Sequence, residues 1–329
     1  MDRPPERQPA RNAAEGLSGP VQATRLAPSP TGALHLGNAR TFLVNWAIAR
    51  QRGWRVVLRI EDLDTPRVKG GAIEQTIDTL AWLGLDWDEG PTIQSEDLSA
   101  YAGAMRTLAA RGLVYPCELT RAQIERAVSA PNEGDAETPF PRSLRPRISS
   151  RAFEDTGSNW RLVVEPGEVG FVDAFVGARA FDPSREIGDF VVWTKRRCPS
   201  YQLAVVVDDA AQGITQVVRG DDLLPSTARQ LTLWRALGLG REPTYTHLPL
   251  VRGADGRRLA KRHGDTRLIT YRERGVSPER VIGLLASWSG LTQTPEPMDA
   301  PAFLRAFSLD RMPPTDVTFT PEHDAWLVS

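Results

Sequence analysis

The order of apolar segments along the chain predicts an α/β fold built on a parallel, doubly wound sheet. Strand-like runs alternate with segments of helical periodicity, and a turn rich in proline and glycine separates the first run from the first helix. Strands that alternate with helices pair in parallel, because each helix returns the chain to the same end of the sheet. The 329 residues are 41% hydrophobic, which is enough for a large core.

A strand, a turn and a helix follow one another near the N-terminus. Residues 23–27 predict a short buried strand, after which Pro28, Pro30 and Gly32 interrupt the pattern. Apolar residues then recur at helical spacing up to about residue 50. This order places a helix N-terminus directly after a strand.

The start of this helix is a predicted phosphate site. His35, Gly37 and Asn38 stand there, where unpaired backbone N–H groups and the positive end of the helix dipole favour anions. Gly37 would permit close approach, and the imidazole of His35 could donate to phosphate oxygens. The alternative is a loop histidine that satisfies its own backbone.

A basic loop bounded by glycines lies at residues 255–264. Four cations fall within residues 257–262, with the small Ala260 among them. Such a loop can close over a triphosphate, and its Lys261 could stabilise the charge that develops on departing pyrophosphate. The alternative is a solvated basic turn.

The remaining elements follow from apolar patterning. We expect strands at residues 54–60, 202–207 and 214–218, an apolar run at 247–251, and helices at 227–237 and at 72–83, the latter capped by Gly84. Ser277 and Pro278 predict the start of a further helix, with an apolar side formed by Val281, Leu284, Leu285 and Trp288. Residues 113–185 interrupt the alternation, which predicts an inserted subdomain.

Together the two motifs resemble the paired signature motifs of class I aminoacyl-tRNA synthetases, and the residues around them narrow the resemblance to the glutamyl group. The supporting blocks are residues 25–38, 58–64, 82–91, 201–209 and 218–222. Residues 201–213 are similar above all to the truncated glutamyl-queuosine tRNA(Asp) synthetases, which attach glutamate to the queuosine base in the anticodon loop of tRNA(Asp). Residues 261–264 resemble the full-length glutamyl enzymes instead. A minimal enzyme that charges tRNA(Glu) and a non-catalytic tRNA-binding relative therefore remain as alternatives.

The resemblance implies a Rossmann-like parallel sheet with an inserted acceptor-stem-type subdomain, a short helical C-terminal segment and no anticodon-binding domain. Residues 1–20 would form a disordered extension. The other expected units are the two halves of the catalytic domain at 21–112 and 186–256, the insertion at 113–185, the lysine loop with a stem-contact-like helical segment at 257–291, and a short tail at 292–329.

The resemblance also implies the site residues. ATP, accompanied by Mg²⁺, would be bound by His35, Gly37, Asn38, Leu259 and Lys261, of which His35, Asn38 and Lys261 would be catalytic. L-Glutamate would be bound by Arg25, Ser29, Glu61, Tyr201 and Arg219. Charge supports this second set, since glutamate needs one anion for its ammonium and cations for its carboxylates. Without the resemblance, Glu61 could cap a turn and Arg219 could pair with Asp221 or Asp222.

Two features depart from the family pattern. Ala260 stands where a serine is usual, which removes one hydroxyl from the lysine loop. Many truncated members hold zinc in the insertion, and the corresponding positions here are Cys117, Leu119, Phe140 and Leu144. Three of these side chains cannot coordinate a metal, so we expect no zinc and no other protein-bound metal.

Composition limits the partners. Basic and acidic side chains number 40 and 41, for a net charge of −1, so contacts with tRNA must come from local patches such as Arg145 and Arg147 or the lysine loop. No apolar run approaches the length of a membrane span, the N-terminus lacks a signal-peptide pattern, and two cysteines argue against a disulfide framework. We expect a cytoplasmic monomer that does not bind a membrane.

Overall fold

The fold is described from a computed structural model in residues 21–127, 139–155, 157–257, 259 and 265–329. The predicted extension at residues 1–20, the replacement at Ala260 and the predicted catalytic Lys261 lie outside the described residues. Within these ranges, no helix combines the length and the apolar character needed to cross a membrane.

A parallel sheet forms around the predicted first strand. β1 (Ala23–Leu26) pairs with β2 (Arg55–Ile60), which pairs with β3 (Glu89–Ile93), and both pairings are parallel. The crossovers contain α1 (Leu36–Gln51) and α2 (Ala72–Trp82). The predicted α/β fold with a parallel sheet is therefore confirmed.

An antiparallel sheet follows this first half. Its strands lie in the order β4 (Val114–Cys117), β5 (Asn159–Leu162), β8 (Val191–Thr194) and β9 (Cys198–Pro199). The hairpin of β6 (Val169–Asp173) and β7 (Gly177–Phe181) joins a different, mainly parallel sheet. The helices of this region are α3 (Ser99–Ala110), α4 (Arg121–Ala127) and α5 (Pro183–Glu186). The expected insertion at 113–185 thus leaves out β8 and β9 of the antiparallel sheet and includes β6 and β7, which belong to the other sheet. The limits of the insertion remain a proposal.

The predicted strand at residues 202–207 is wrong, because these residues lie in α6 (Tyr201–Ala211). Leu203, Ala204 and Val206 of this helix are buried in one hydrophobic cluster with residues of α3. A short apolar run is compatible with either a buried strand or one face of a buried helix. The run therefore reports burial and not the type of element.

The second half restores the parallel arrangement. β10 (Gln216–Gly220) pairs with β11 (Thr244–Leu248), and α7 (Leu224–Leu237) connects them. The N–H of Thr215, just before β10, donates to the carbonyl of Ala23 over 3.0 Å, so β10 lies beside β1. The carboxyl ends of β1, β2 and β10 consequently meet at one edge, where α/β proteins place their ligands.

The C-terminal segment folds back onto this framework. Its elements are β12 (Val251–Arg252), α8 (Leu268–Glu273), α9 (Pro278–Trp288), α10 (Ala300–Ala306), β13 (Val317–Thr318) and α11 (Pro321–Val328). The helix predicted after Ser277 is confirmed with its apolar side buried, although the Ser277 side chain makes no cap hydrogen bond. Phe303 and Leu327 belong to the same core cluster as Leu43 of α1. Residues 292–329 therefore pack against the sheet domain.

The four positions that we expected to correspond to zinc ligands lie in one apolar cluster. Cys117 and Phe140 are buried in a small cluster, with Leu119 and Leu144 partly buried against it. Beside this cluster, the buried Asp189 accepts two hydrogen bonds from Arg145 and one from the hydroxyl of Tyr115, each at 2.7 Å. Arg145, which we expected to be available to tRNA, is committed to this internal ion pair.

A buried arginine connects α1 to the C-terminal segment. Arg40 is 2% exposed, and its guanidinium donates to the carbonyls of Pro249 and Trp288, over 2.9 and 2.8 Å, and to Ser289. Burial lowers the pKa of Arg40 to about 10. The side chain thus holds three segments together through neutral acceptors.

We expect Arg40→Met to destabilise the protein more than Arg50→Met, a matched change on the same helix. Removing Arg40 leaves two carbonyls without this donor, at a cost of about 3 kcal/mol. Arg50 is more exposed and bonds to the exposed Asp86 and Asp88, so its loss should cost about 1 kcal/mol or less. Chemical unfolding of the two variants measures the difference, and equal losses would contradict this account.

Candidate active site

A cavity of about 550 Å³ opens where the strands of the two halves meet. Most of the predicted site residues line it, namely Arg25, Ser29, His35, Gly37, Asn38, Glu61, Tyr201 and Arg219. Leu259 is instead buried in the hydrophobic core, and its N–H donates to the carbonyl of Val251, which does line the cavity. The fold thus gathers residues separated by almost 200 positions into one space.

His35 caps the helix that faces this cavity. Its Nδ1 accepts from the backbone N–H groups of Gly37 and Asn38, over 3.2 and 3.4 Å. We expected these two N–H groups to be unpaired. Their bonds to Nδ1 agree instead with the alternative, in which the histidine satisfies the backbone next to it. Because Nδ1 is an acceptor, the proton of the neutral ring lies on Nε2. His35 can therefore cap α1 and also present a donor.

The absence of a side chain at Gly37 leaves room for this ring. A Cβ atom at residue 37 would lie 3.1 Å from Cε1 and 3.2 Å from Nδ1 of His35, closer than ordinary contacts. The glycine therefore permits the histidine to fold back over the first turn of α1. A glycine two residues after His35 therefore serves the helix cap as well as access for a ligand.

Backbone pairing joins the first motif to the segment that follows the lysine loop. The N–H of Leu36 donates to the carbonyl of Thr266 over 3.2 Å, and the N–H of Leu268 donates to the carbonyl of Leu34 over 2.8 Å. His35 and Arg267 form the intervening antiparallel bridge. Arg267, three residues after the lysine loop, is thereby fixed next to His35.

Four buried charges form a floor beneath the cavity, and two of them, Arg25 and Glu61, line it. Arg59 is 1% exposed, and its guanidinium lies 2.8 Å from Asp209 and 3.1 Å from Glu61. Arg25 lies 3.2 Å from the same Asp209 oxygen. Burial alone would raise the pKa of Asp209, but Arg25 and Arg59 together hold it below its ordinary value. Asp209 is therefore ionised and fixes both arginines.

The pKa of Glu61 is shifted in the opposite direction from that of Asp209. Burial raises the pKa of Glu61 above its ordinary value, against the opposing effects of Arg59 and Arg25. Its backbone N–H donates to the carbonyl of Pro28 over 3.0 Å, which joins the loops after β1 and β2. Glu61 thus pairs with Arg59 and does not cap a turn.

Arg219 is a buried cation with neutral partners. It is 5% exposed, and it donates to Gln230 and Thr227 over 2.8 Å and to His247 over 3.0 Å. The predicted alternative of a pair with Asp221 or Asp222 is not found, since the described part of the chain places no carboxylate within 4.0 Å of its nitrogens. Its positive charge remains uncompensated by direct contact, which suits binding of an anionic group.

Sequence reasoning missed Arg59 and Asp209. The signal for Arg59 was a cation within the apolar run of β2, which must be paired when buried. Asp209 carried a weaker signal, because the segment before it was assigned to a strand and its helical face was not considered. Tyr201 begins that same helix and is 42% exposed at the cavity.

Basic and acidic side chains thus face one cavity at the edge of the sheet, next to the first of the paired motifs. The family model described as "tRNA synthetases class I (E and Q), catalytic domain" matches residues 21–304. The chain belongs to this family. It is 47% identical over 303 residues to the Glutamyl-Q tRNA(Asp) synthetase of Symbiobacterium thermophilum, an alignment that covers 88% of this chain and 93% of that relative.

Other members of the family are longer than the matched region. The chain is 38% identical to the glutamate–tRNA ligase of Oleidesulfovibrio alaskensis, covering 92% of this chain but 65% of that protein. Among solved structures, a glutamate tRNA ligase of Elizabethkingia meningosepticum in complex with its amino acid superposes with a TM-score of 0.76 at 27% identity, covering 93% of this chain and 68% of the other. The shared region thus includes nearly all of this chain.

Proposed function

We propose that this protein activates L-glutamate with ATP and transfers it to the queuosine base of tRNA(Asp). The choice of glutamate rests on one observation: the cavity brings together Arg219, a buried cation without a direct carboxylate partner, and the carboxylate of Glu61. The relative that matches over nearly its whole length, named for tRNA(Asp), supports the acceptor. ATP use follows from class I synthetase chemistry.

Each end of glutamate meets a complementary charge in this arrangement. Its ammonium would bind Glu61, and its carboxylates would bind Arg25 and Arg219, with Ser29 and Tyr201 against the remaining surface. Hydrogen bonds between a guanidinium and a carboxylate are charge-assisted and strong. An uncharged analogue would leave Arg219 buried without an anion, which gives discrimination against glutamine.

Activation would be an in-line displacement at the α-phosphorus of ATP. An oxygen of the α-carboxylate of glutamate forms the new P–O bond while the bond to pyrophosphate breaks. His35, Gly37 and Asn38, at the N-terminus of α1, would position the phosphates, and Lys261 would contact the leaving pyrophosphate. Leu259, whose side chain is buried in the core, would support the nucleotide site only through its backbone bond to Val251. Mg²⁺ would enter with ATP, bound by its phosphates.

Transfer would then use the glutamyl-adenylate as the acyl donor. A hydroxyl of the cyclopentene ring of queuosine attacks the carbonyl carbon, AMP leaves, and the hydroxyl proton is released. No covalent intermediate with the protein is required. Location in the cytoplasm and a monomeric state remain predictions.

The acceptor is tested by transfer of labelled glutamate to queuosine-containing tRNA(Asp), unmodified tRNA(Asp) and tRNA(Glu) in parallel, with ATP and Mg²⁺. We expect label on the queuosine-containing tRNA(Asp) only, because the acceptor hydroxyl belongs to the modified base. Label on tRNA(Glu) alone would contradict the proposal and support a minimal enzyme that charges the conventional acceptor. That second candidate has the 38% identity to a glutamate–tRNA ligase in its favour.

Two cations should affect different steps of ATP–pyrophosphate exchange driven by glutamate. We expect Lys261→Ala to lower kcat by about a hundredfold, because it removes a donor to the leaving group. Arg219→Ala should mainly raise the KM for glutamate. The control is Arg235→Ala, which breaks an exposed pair with Glu242 outside the cavity and should leave both constants unchanged. If exchange stays at the wild-type values in either site variant, the role assigned to that residue is wrong. If the folded wild-type protein shows no exchange even with tRNA supplied, a non-catalytic relative is favoured.

The KM for glutamate should rise as the pH falls toward the pKa of Glu61. Burial raises this pKa above its ordinary value, so the carboxylate that binds the ammonium is neutralised earlier than a solvated glutamate would be. Below that pKa, KM should rise by up to about tenfold per pH unit. Glu61→Gln should show a high KM that does not follow this profile, and a wild-type KM that stays constant between pH about 8 and about 4.5 would contradict the assignment.

A further inference from the structure

A chain of three buried groups runs from the hairpin of β6 and β7 to the cavity. Oδ2 of Asp173 lies 2.7 Å from Nδ1 of His247, and Nε2 of His247 accepts from Nε of Arg219 over 3.0 Å. The exposures of Asp173, His247 and Arg219 are 2%, 0% and 5%. Only Arg219 of the three lines the cavity.

Asp173 determines which ring nitrogen of His247 carries the proton. Its carboxylate accepts from the backbone N–H groups of Phe175 and Val176 over 2.9 and 3.0 Å and from that of His247. Burial would raise the pKa of Asp173, but the bond to the ring of His247 and these backbone donors hold it below its ordinary value. The carboxylate is therefore ionised and an acceptor only, so Nδ1 of the ring must donate to it.

His247 is consequently a neutral acceptor toward Arg219. Burial lowers the pKa of His247, against the opposing effect of its bond to Asp173. With its proton on Nδ1, the ring presents a lone pair at Nε2 to the guanidinium. The opposite tautomer would place two donors against each other at 3.0 Å.

This arrangement fixes Arg219 without cancelling its charge. Three of the four remaining N–H groups of the guanidinium donate to Gln230, Thr227 and the carbonyl of Leu223, so the planar group cannot rotate without losing several bonds, and one N–H on Nη1 remains for a ligand. A carboxylate in direct contact would orient the arginine equally well but would compete with a ligand for its charge. A neutral imidazole orients it through one lone pair and leaves the charge to the ligand.

We propose that Asp173 and His247 are positioning residues for recognition of a glutamate carboxylate by Arg219. The proposal rests on the function proposed above for Arg219. Neither residue lines the cavity, and their effect is the orientation of the guanidinium before a ligand binds.

The test measures glutamate-driven ATP–pyrophosphate exchange and thermal unfolding in variants at both positions. Asp173→Asn offers a donor to Nδ1, which favours the wrong tautomer, and His247→Leu removes the acceptor. Each should raise the KM for glutamate by about ten- to a hundredfold, the range for a lost hydrogen bond to a charged group, with the KM for ATP unchanged. His247→Gln supplies an amide oxygen that can accept from Arg219, so its KM should stay within about threefold of the wild-type value.

A double-mutant cycle separates positioning from general support of the fold. In the His247→Gln background there is no ring tautomer to select, so Asp173→Asn should add little to the KM for glutamate. Additive effects, or equal rises in the two KM values together with a lower Tm, would overturn the proposal. The control is His323→Gln, a half-buried histidine against Trp288 outside the cavity, for which no change is expected.

Nitrogen-15 NMR of the free protein tests the same inference without activity. The ring proton of His247 should lie on Nδ1 in the wild type and on Nε2 in Asp173→Asn. A wild-type ring protonated on Nε2 would overturn the positioning role even if exchange is robust. The positioning role would also be overturned if the wild-type ring is protonated on Nδ1 but the KM values of both His247→Leu and Asp173→Asn are unchanged. Absence of any glutamate-driven exchange in the wild type would instead refute the proposed function itself.

Discussion

The buried ion pairs among Arg25, Arg59, Asp209 and Glu61 are the constraint on which the cavity depends. Charges removed from water are tolerated only when they are paired with good geometry. Asp209 is shared by Arg25 from β1 and Arg59 from β2, and Glu61 holds the other side of Arg59. These contacts join two strands of the parallel sheet to α6. The same pairing that makes their burial possible therefore fixes the relative positions of the groups that face a ligand.

Arg219 completes this arrangement from the second half of the sheet. The floor holds two cations and two carboxylates, and Asp208 lies 3.7 Å from Arg59 as a further carboxylate. Arg219 adds a positive charge whose direct contacts are neutral. An anion that enters the cavity therefore finds one cation in need of a partner and one carboxylate, Glu61, with a raised proton affinity. This asymmetry matches an amino acid that carries an additional carboxylate. It also explains why family membership and site geometry lead to the same substrate.

The fold was largely predictable from sequence, whereas the contacts within the site were not. Alternating apolar segments predicted β1, α1 and β2, because periodicity reports which face is buried. The same signal failed at α6, where a short apolar run did not distinguish helix from strand. The pairing of Asp173 with His247 joins residues 74 positions apart, and no local pattern encodes such a contact. His35 was identified as part of the site, but its cap on α1 depends on a rotamer that the sequence does not reveal.

The most direct test of the central claim is a crystal structure of the protein with L-glutamate and a non-hydrolysable ATP analogue. The account predicts the ammonium within hydrogen-bond distance of Glu61, a carboxylate on the Arg219 guanidinium, and phosphates at the N-terminus of α1 beside His35. The Arg59–Asp209 pair should keep its present geometry, because the floor is formed before the ligand binds. Glutamate bound outside this cavity, or bound in it with no carboxylate on Arg219, would contradict the account.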